Sequence, residues 1–223
     1  MFERTELLIG KDNLLKLKNK KILVIGLGGV GGYVVESLVR SGISNITIVD
    51  YDIVTESNIN RQVIALHSNI GKKKTDLFEE RILDINPECI VCKKDIFLNL
   101  DNISNVICDF DYVIDACDTI TAKKEIMRVC IEKNIPFVTC LGTGKRLDPT
   151  KLMITNLKDT SYDPIAKILR KYAKDNFPKE KIKVLYSTEV PIDTDSKEIP
   201  SMMFVPACSG ILLANYVVLE LLR

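Results

Sequence analysis

Short apolar runs along the chain alternate with stretches whose apolar positions recur every three or four residues. KILVIG (21–26), NITIVD (45–50), ECIVCKKD (88–95), YVIDAC (112–117) and FVTCLG (137–142) read as strands. Between them, GVGGYVVESLVRSG (29–42), KKKTDLFEERILDIN (72–86) and TAKKEIMRVCIEKN (121–134) read as helices. Phe78, Ile82 and Ile85 share one face of the second helix, and Pro87 ends it. This alternation predicts parallel βαβ units with helices on both faces of a doubly wound α/β sheet.

Past Gly144 the pattern loosens. KLMITNL (151–157) and KIKVLYSTE (181–189) read as strands around a helix, DPIAKILRKYAKDN (163–176), and are expected to extend the same sheet. In that helix Ile165, Ile168, Leu169 and Tyr172 have core-face spacing, while Lys167, Arg170, Lys171 and Lys174 repeat the spacing on the opposite side. VPIDTDSKEIPS (190–201), with two prolines and an excess of acids, is expected to be a mobile loop. MMFVP (202–206) looks strand-like, and a last helix closes the chain. That apolar end is interrupted by Asn215 and Glu220, so it reads as a docked helix and not a membrane span.

With 46% hydrophobic residues in 223, the chain can bury a sizeable core. Its net charge of +1 gives no global case for DNA or a membrane as partner. Locally the balance differs. Residues 145–183 carry 11 Lys and Arg against 5 Asp and Glu. The stripe Lys167, Arg170, Lys171, Lys174 is therefore either a solvated face or a nucleic-acid contact. The seven cysteines are odd in number and sit mostly in apolar runs, which reads as reduced thiols in a cytoplasmic protein.

The chemistry begins at V-I-G-L-G-G-V-G-G (24–32). Gly26, Gly28 and Gly31 form G-x-G-x-x-G at a strand-to-helix turn, with Gly29 between them, and such a turn brings backbone amides and a helix N-terminus to phosphate. Asp50 ends the next strand, placed for ribose hydroxyls. A dinucleotide cofactor needs little more. Here D-Y-D-I-V-T-E-S-N-I-N-R-Q (50–62) and I-G-K-K-K (70–74) add Asn58, Arg61 and Lys74, which suit a triphosphate and a departing pyrophosphate. D-A-C-D-T (115–119) puts Asp115 and Asp118 at a strand's C-terminal end, where a carboxylate can hold Mg²⁺ against phosphates.

These segments resemble the ubiquitin-activating-enzyme-like adenylyltransferases, the ThiF, MoeB and HesA group. R-T-E-L-L-I-G, N-I-N-R-Q-V-I-A-L-H-S-N-I-G-K-K-K, R-I-L-D-I-N-P-E-C, G-T-G-K-R-L-D-P-T and Y-S-T-E are similar to its tRNA threonylcarbamoyladenosine dehydratase branch. The resemblance implies one Rossmann-type adenylating domain over 1–223, with a nucleotide-binding half (1–144) and an acceptor-side extension (145–223). It implies that the glycine loop surrounds ATP and that Asp50 and Asp52 of D-Y-D belong to the nucleotide site. By the same resemblance Asn58, Arg61 and Lys74 contact phosphates and Asp118 holds Mg²⁺. Arg4 matches an arginine that reaches the partner subunit's ATP in dimeric relatives, so a homodimer is expected. The implied activity is adenylation of the carboxylate of threonylcarbamoyladenosine in tRNA, followed by cyclisation with net loss of water.

Two alternatives stand beside this reading: adenylation of a sulfur-carrier protein's C-terminal glycine, and a nucleotide-sensing module without turnover. Sulfur-carrier enzymes of the group usually hold zinc with two C-x-x-C pairs. Only Cys89–Cys92 is present here, on a predicted strand where i and i+3 face opposite ways, so no zinc is expected. Cys117, Cys208 and the single histidine, His67, are read as structural.

Overall fold

The computed structural model describes residues 1–196 and 198–223. In chain order the elements are α1 (Glu3–Ile9), α2 (Lys11–Lys18), β1 (Lys21–Ile25), α3 (Gly31–Arg40), β2 (Asn45–Asp50), α4 (Lys74–Ile85), β3 (Ile90–Asp95), α5 (Ile103–Val106), β4 (Tyr112–Asp115), α6 (Ile120–Glu132), β5 (Phe137–Cys140), β6 (Leu152–Asn156), α7 (Pro164–Asn176), β7 (Lys183–Ser187) and α8 (Phe204–Leu222). The strands form one sheet in the order β3-β2-β1-β4-β5-β7-β6. Every pairing is parallel except β6 with β7. This is the doubly wound α/β fold expected from the alternation, with the sheet continued by the C-terminal strands.

β1 shows why two faces are covered. Ile22 and Val24 pack into a core shared with α2, α3, α4 and α8, whereas Leu23 and Ile25 pack with α5 and α6 on the other side. Successive side chains point to opposite faces, so a strand buried on both sides reads as an unbroken apolar run. A third cluster joins α6, α7 and β7 through Met127, Leu169 and Val184.

Two expectations are corrected. The strand-like MMFVP is instead the entry to α8, whose first turn contains Phe204, Val205 and Pro206. Proline is tolerated there because a first-turn N–H has no intrahelical acceptor. The core stripe of α7 is Ala166, Leu169 and Ala173, with Ile165 and Tyr172 partly buried, while Ile168 is 40% exposed. Segment 190–201, expected to be a mobile loop, has no helix or strand among its described residues and is joined to the domain near its ends: Lys145 N–H donates to the Pro200 carbonyl, Ile192 N–H donates to the Lys145 carbonyl, and the Asn60 carboxamide donates to the Ser201 carbonyl.

α8 is long and apolar enough to cross a membrane by length and composition, yet half of it is buried. It packs against α3 and α2 and beneath the β5–β7–β6 end of the sheet.

Candidate active site

β1 is flanked by β2 on one side and β4 on the other, so the chain's winding reverses at this point. Loops leaving the C-terminal strand ends diverge there and leave a crevice. It is a cavity of about 820 Å³ that runs from the loop after β1, past the end of β4, to the loop after β5.

The loop after β1 is fixed from within. Gly26 has φ +88°, and a Cβ on it would fall 2.8 Å from the Ala116 carbonyl oxygen. A Cβ on Gly31 would overlap the Gly26 carbonyl oxygen. Only glycine permits this approach of the α3 N-terminus to the loop. Asp50, buried at the end of β2, accepts the Leu27 N–H at 2.6 Å through one carboxylate oxygen and the Asp52 N–H at 2.8 Å through the other. Its carboxylate thus fastens the glycine loop as well as lining the cavity.

Cations stand at the same end. Lys74 opens α4; its N–H donates to the Asp52 carbonyl and its ammonium to the Asp52 carboxylate at 2.7 Å. The Lys74 side chain is almost wholly buried and is aimed before any ligand arrives. The Arg61 guanidinium donates to the Ser57 carbonyl at 2.8 Å and to the Asn60 side chain at 2.9 Å. Asn58 lines the cavity, but its side-chain oxygen accepts the Thr55 N–H and so caps its own turn. Gln62 belongs to this group and was not singled out from the sequence. It is buried, lines the cavity, and its side-chain oxygen has no hydrogen-bond partner among the described residues. Its place in N-I-N-R-Q, beside Arg61, was the available signal.

Asp115 and Asp118 have different fates. Asp118 is exposed on the cavity wall and, among the described residues, takes only a 3.4 Å hydrogen bond, from the Thr119 hydroxyl. Asp115 is fully buried and is not available to an ion in solvent. It accepts the Lys123 ammonium at 3.1 Å and the Cys117 N–H and thiol, while Lys123 also donates to the Cys140 carbonyl at 2.7 Å. Burial alone would lower the Lys123 pKa, but Asp115 beside it leaves it above the ordinary value. Burial, together with Asp115, pushes the Cys117 thiol well above its usual range, so it stays protonated and is a poor nucleophile.

The far end of the cavity is built by side chains. Arg146 is buried and donates to the carbonyls of Gly142 and Glu189, and it lies 3.5 Å from the buried Asp163 carboxylate. Asp163 also accepts the Gly142 N–H and caps α7 through the Ala166 N–H. Glu189 accepts the N–H groups of Leu147 and Asp148. Ile192, Asp193 and Ile199 from the covering segment complete the wall.

The structure therefore gathers Gly26, Gly28, Gly29, Asp50 and Asp52 at one cavity with Asn58, Arg61, Lys74 and Asp118. Gly31 lies directly beneath the loop. Arg4 does not line the cavity. It is exposed on α1, a helix with no buried residue. The basic helix face is also separate. Lys167, Lys171 and Lys174 are exposed on α7, but Arg170 is turned onto Thr160, donating to its carbonyl at 2.8 Å and to its hydroxyl. The expected stripe of four is a stripe of three, because Arg170 holds the turn before α7.

A model of the ThiF family matches residues 2–202. The tRNA threonylcarbamoyladenosine dehydratase of Bacillus subtilis is 38% identical over 241 residues, covering 100% of this chain and 94% of that protein. The crystal structure of the Escherichia coli tRNA N6-threonylcarbamoyladenosine dehydratase in complex with ATP matches with a TM-score of 0.93 at 34% identity, covering 99% of this chain and 93% of that one. The adenylyltransferase and sulfurtransferase MOCS3 of Drosophila willistoni is 29% identical over 139 residues, covering 62% of this chain and 30% of that protein.

Proposed function

The chain belongs to the ThiF family, and from that premise we propose that it catalyses the ATP-dependent dehydration of N6-threonylcarbamoyladenosine in tRNA to the cyclic form. One observation carries the proposal: the glycine loop, Arg61, Lys74 and Asp118 open into a cavity that continues well past them to the loop after β5. A nucleotide at the first end leaves the second for an acceptor. The full-length likeness to the dehydratase relatives supports this substrate, whereas the adenylyltransferase and sulfurtransferase relative is similar over a shorter stretch.

The threonyl carboxylate forms a bond to the α-phosphorus of ATP as the bond to pyrophosphate breaks. A nucleophile within the same modification then attacks the acyl carbon, AMP leaves, and the ring closes. The protein's work is positioning and charge stabilisation. Lys74 and Arg61 are fixed by neighbouring groups, so they meet the charge growing on pyrophosphate without reorganising. Asp118 would hold Mg²⁺: one exposed carboxylate completed by phosphate oxygens is a usual set for this ion. When bound, the ion neutralises phosphate charge.

The chain acts as one adenylating unit, with 1–144 serving the nucleotide and 145–223 the acceptor. Lys167, Lys171 and Lys174 meet the phosphates of tRNA, and a tRNA substrate accords with a cytoplasmic location. The functional unit is a homodimer in which Arg4 serves the partner's site. α1 supports this, since Leu7 and Leu8 are 87% and 84% exposed beside Arg4. Mixing Arg4→Ala with Arg61→Ala protein should restore activity, because exchange leaves one intact site per mixed dimer; no recovery after proven exchange would remove the trans role.

ATP–pyrophosphate exchange tests the proposal as a whole. Exchange should require tRNA bearing threonylcarbamoyladenosine. Stimulation instead by a carrier protein ending in Gly-Gly would replace the reading with sulfur-carrier activation.

A further inference from the structure

Among the described residues, five cations line the cavity: Arg61, Lys74, Lys123, Lys145 and Arg146. Four are engaged. Arg61 bonds to Ser57 and Asn60, Lys74 to Asp52, Lys123 to Asp115 and Cys140, and Arg146 to Gly142, Glu189 and Asp163. Lys145 alone has no hydrogen-bond or ion-pair partner for its ammonium among the described residues. Its backbone, by contrast, is held twice. The N–H donates to Pro200 and the carbonyl accepts from Ile192, each at 2.8 Å. The residue sits at φ +60°, a left-handed conformation that disfavours a side chain. Strain of this kind persists where surrounding structure imposes it, and it clusters at ligand sites.

We propose that Lys145 binds the carboxylate that is to be adenylated. This rests on the dehydratase reading above. β5 lies two strands from β1, about 10 Å across the sheet, and Lys145 stands in the loop that follows β5 and lines the cavity. It is thus at the acceptor end, while Arg61 and Lys74 are at the nucleotide end. A carboxylate brought up to a triphosphate meets like charge, and an uncommitted ammonium on its far side offsets that repulsion. Most of the carboxylate charge is still present as the new bond begins to form, so Lys145 binds the ground state and the transition state about equally. Its loss should appear in KM rather than in kcat.

The test compares Lys145→Gly, Lys145→Met and Lys145→Arg in the full chain. Lys145→Gly suits the left-handed backbone and should fold at least as well as the parent. Without the ammonium, KM for threonylcarbamoyladenosine tRNA should rise on the order of tenfold to a hundredfold, the scale of one charge-assisted hydrogen bond. kcat and KM for ATP should stay within about twofold, and Lys145→Arg should recover most of the loss. Binding of tRNA without the modification should not change. An equal loss for modified and unmodified tRNA would assign Lys145 to a phosphate and overturn the proposal, as would unchanged KM in the Gly and Met variants. If the parent itself fails to dehydrate the modified tRNA, the dehydratase reading falls and this proposal with it.

Discussion

The two ends of the cavity are built by different means. At the β1–β2 end the main chain does the work, with glycines that let backbone approach backbone and Asp50 clamping two N–H groups. At the β5–β7 end the wall is made of buried ionic side chains, Arg146 and Asp163, joined to main-chain groups of Gly142 and Glu189. Backbone amides suit a ligand common to many enzymes, because their geometry is independent of sequence outside the glycines. Side-chain walls can be changed one residue at a time, so the acceptor end is where a family sharing one nucleotide fold can diverge in substrate.

The sharpest break in this contrast is Gly31→Ala. The added methyl has no space beside the Gly26 carbonyl, and it must move α3 or the loop. ATP binding measured by calorimetry should be lost, and unchanged affinity would show that the loop can yield without disturbing the nucleotide site. Next come the two cations. Arg61→Ala and Lys74→Ala should each slow adenylation by about 10²–10³ in single-turnover assays, the usual cost of one oriented donor. Both should still bind tRNA.

The far end should respond in stability first. Arg146→Met strands a buried carboxylate on Asp163, and breaking a buried pair from one side costs about 3–5 kcal/mol. The two N–H groups that Asp163 accepts should keep the loss toward the lower end. A denaturation midpoint unchanged from the parent would show that the wall is not held by this pair. The smallest effect is expected on α7. Changing Lys167, Lys171 and Lys174 to Glu should weaken tRNA binding and lower its salt slope by roughly 0.7–0.9 per lost phosphate contact, with ATP affinity unchanged. Arg170→Ala should instead lower stability, because Arg170 is bonded to Thr160.

The same contrast explains what could be read from the sequence. The glycine loop, Asp50, Arg61 and Lys74 stand in local order on a strand–turn–helix pattern, so neighbours along the chain are neighbours in the site. Residues 142–146, 163 and 189 meet only when β5, α7 and β7 come together, and no spacing rule announces that. The Lys123–Asp115 pair was hidden for a similar reason. Asp115 and Asp118 look alike in D-A-C-D, and only the fold buries one and exposes the other. On α7, large apolar residues suggested the core face, yet Ala166 and Ala173 occupy it. α1 gave no periodic signal because none of its residues is fully buried and only Ile9 packs against the core.

In the proposed reaction one cavity brings ATP and a tRNA-borne carboxylate together for ring closure. Mass spectrometry of nucleosides digested from tRNA, after incubation with the protein and ATP, tests it most directly. Threonylcarbamoyladenosine should be replaced by a species lighter by one water, with ATP converted to AMP and pyrophosphate. Retention of the unchanged nucleoside by tRNA in the presence of folded, ATP-binding protein would contradict it.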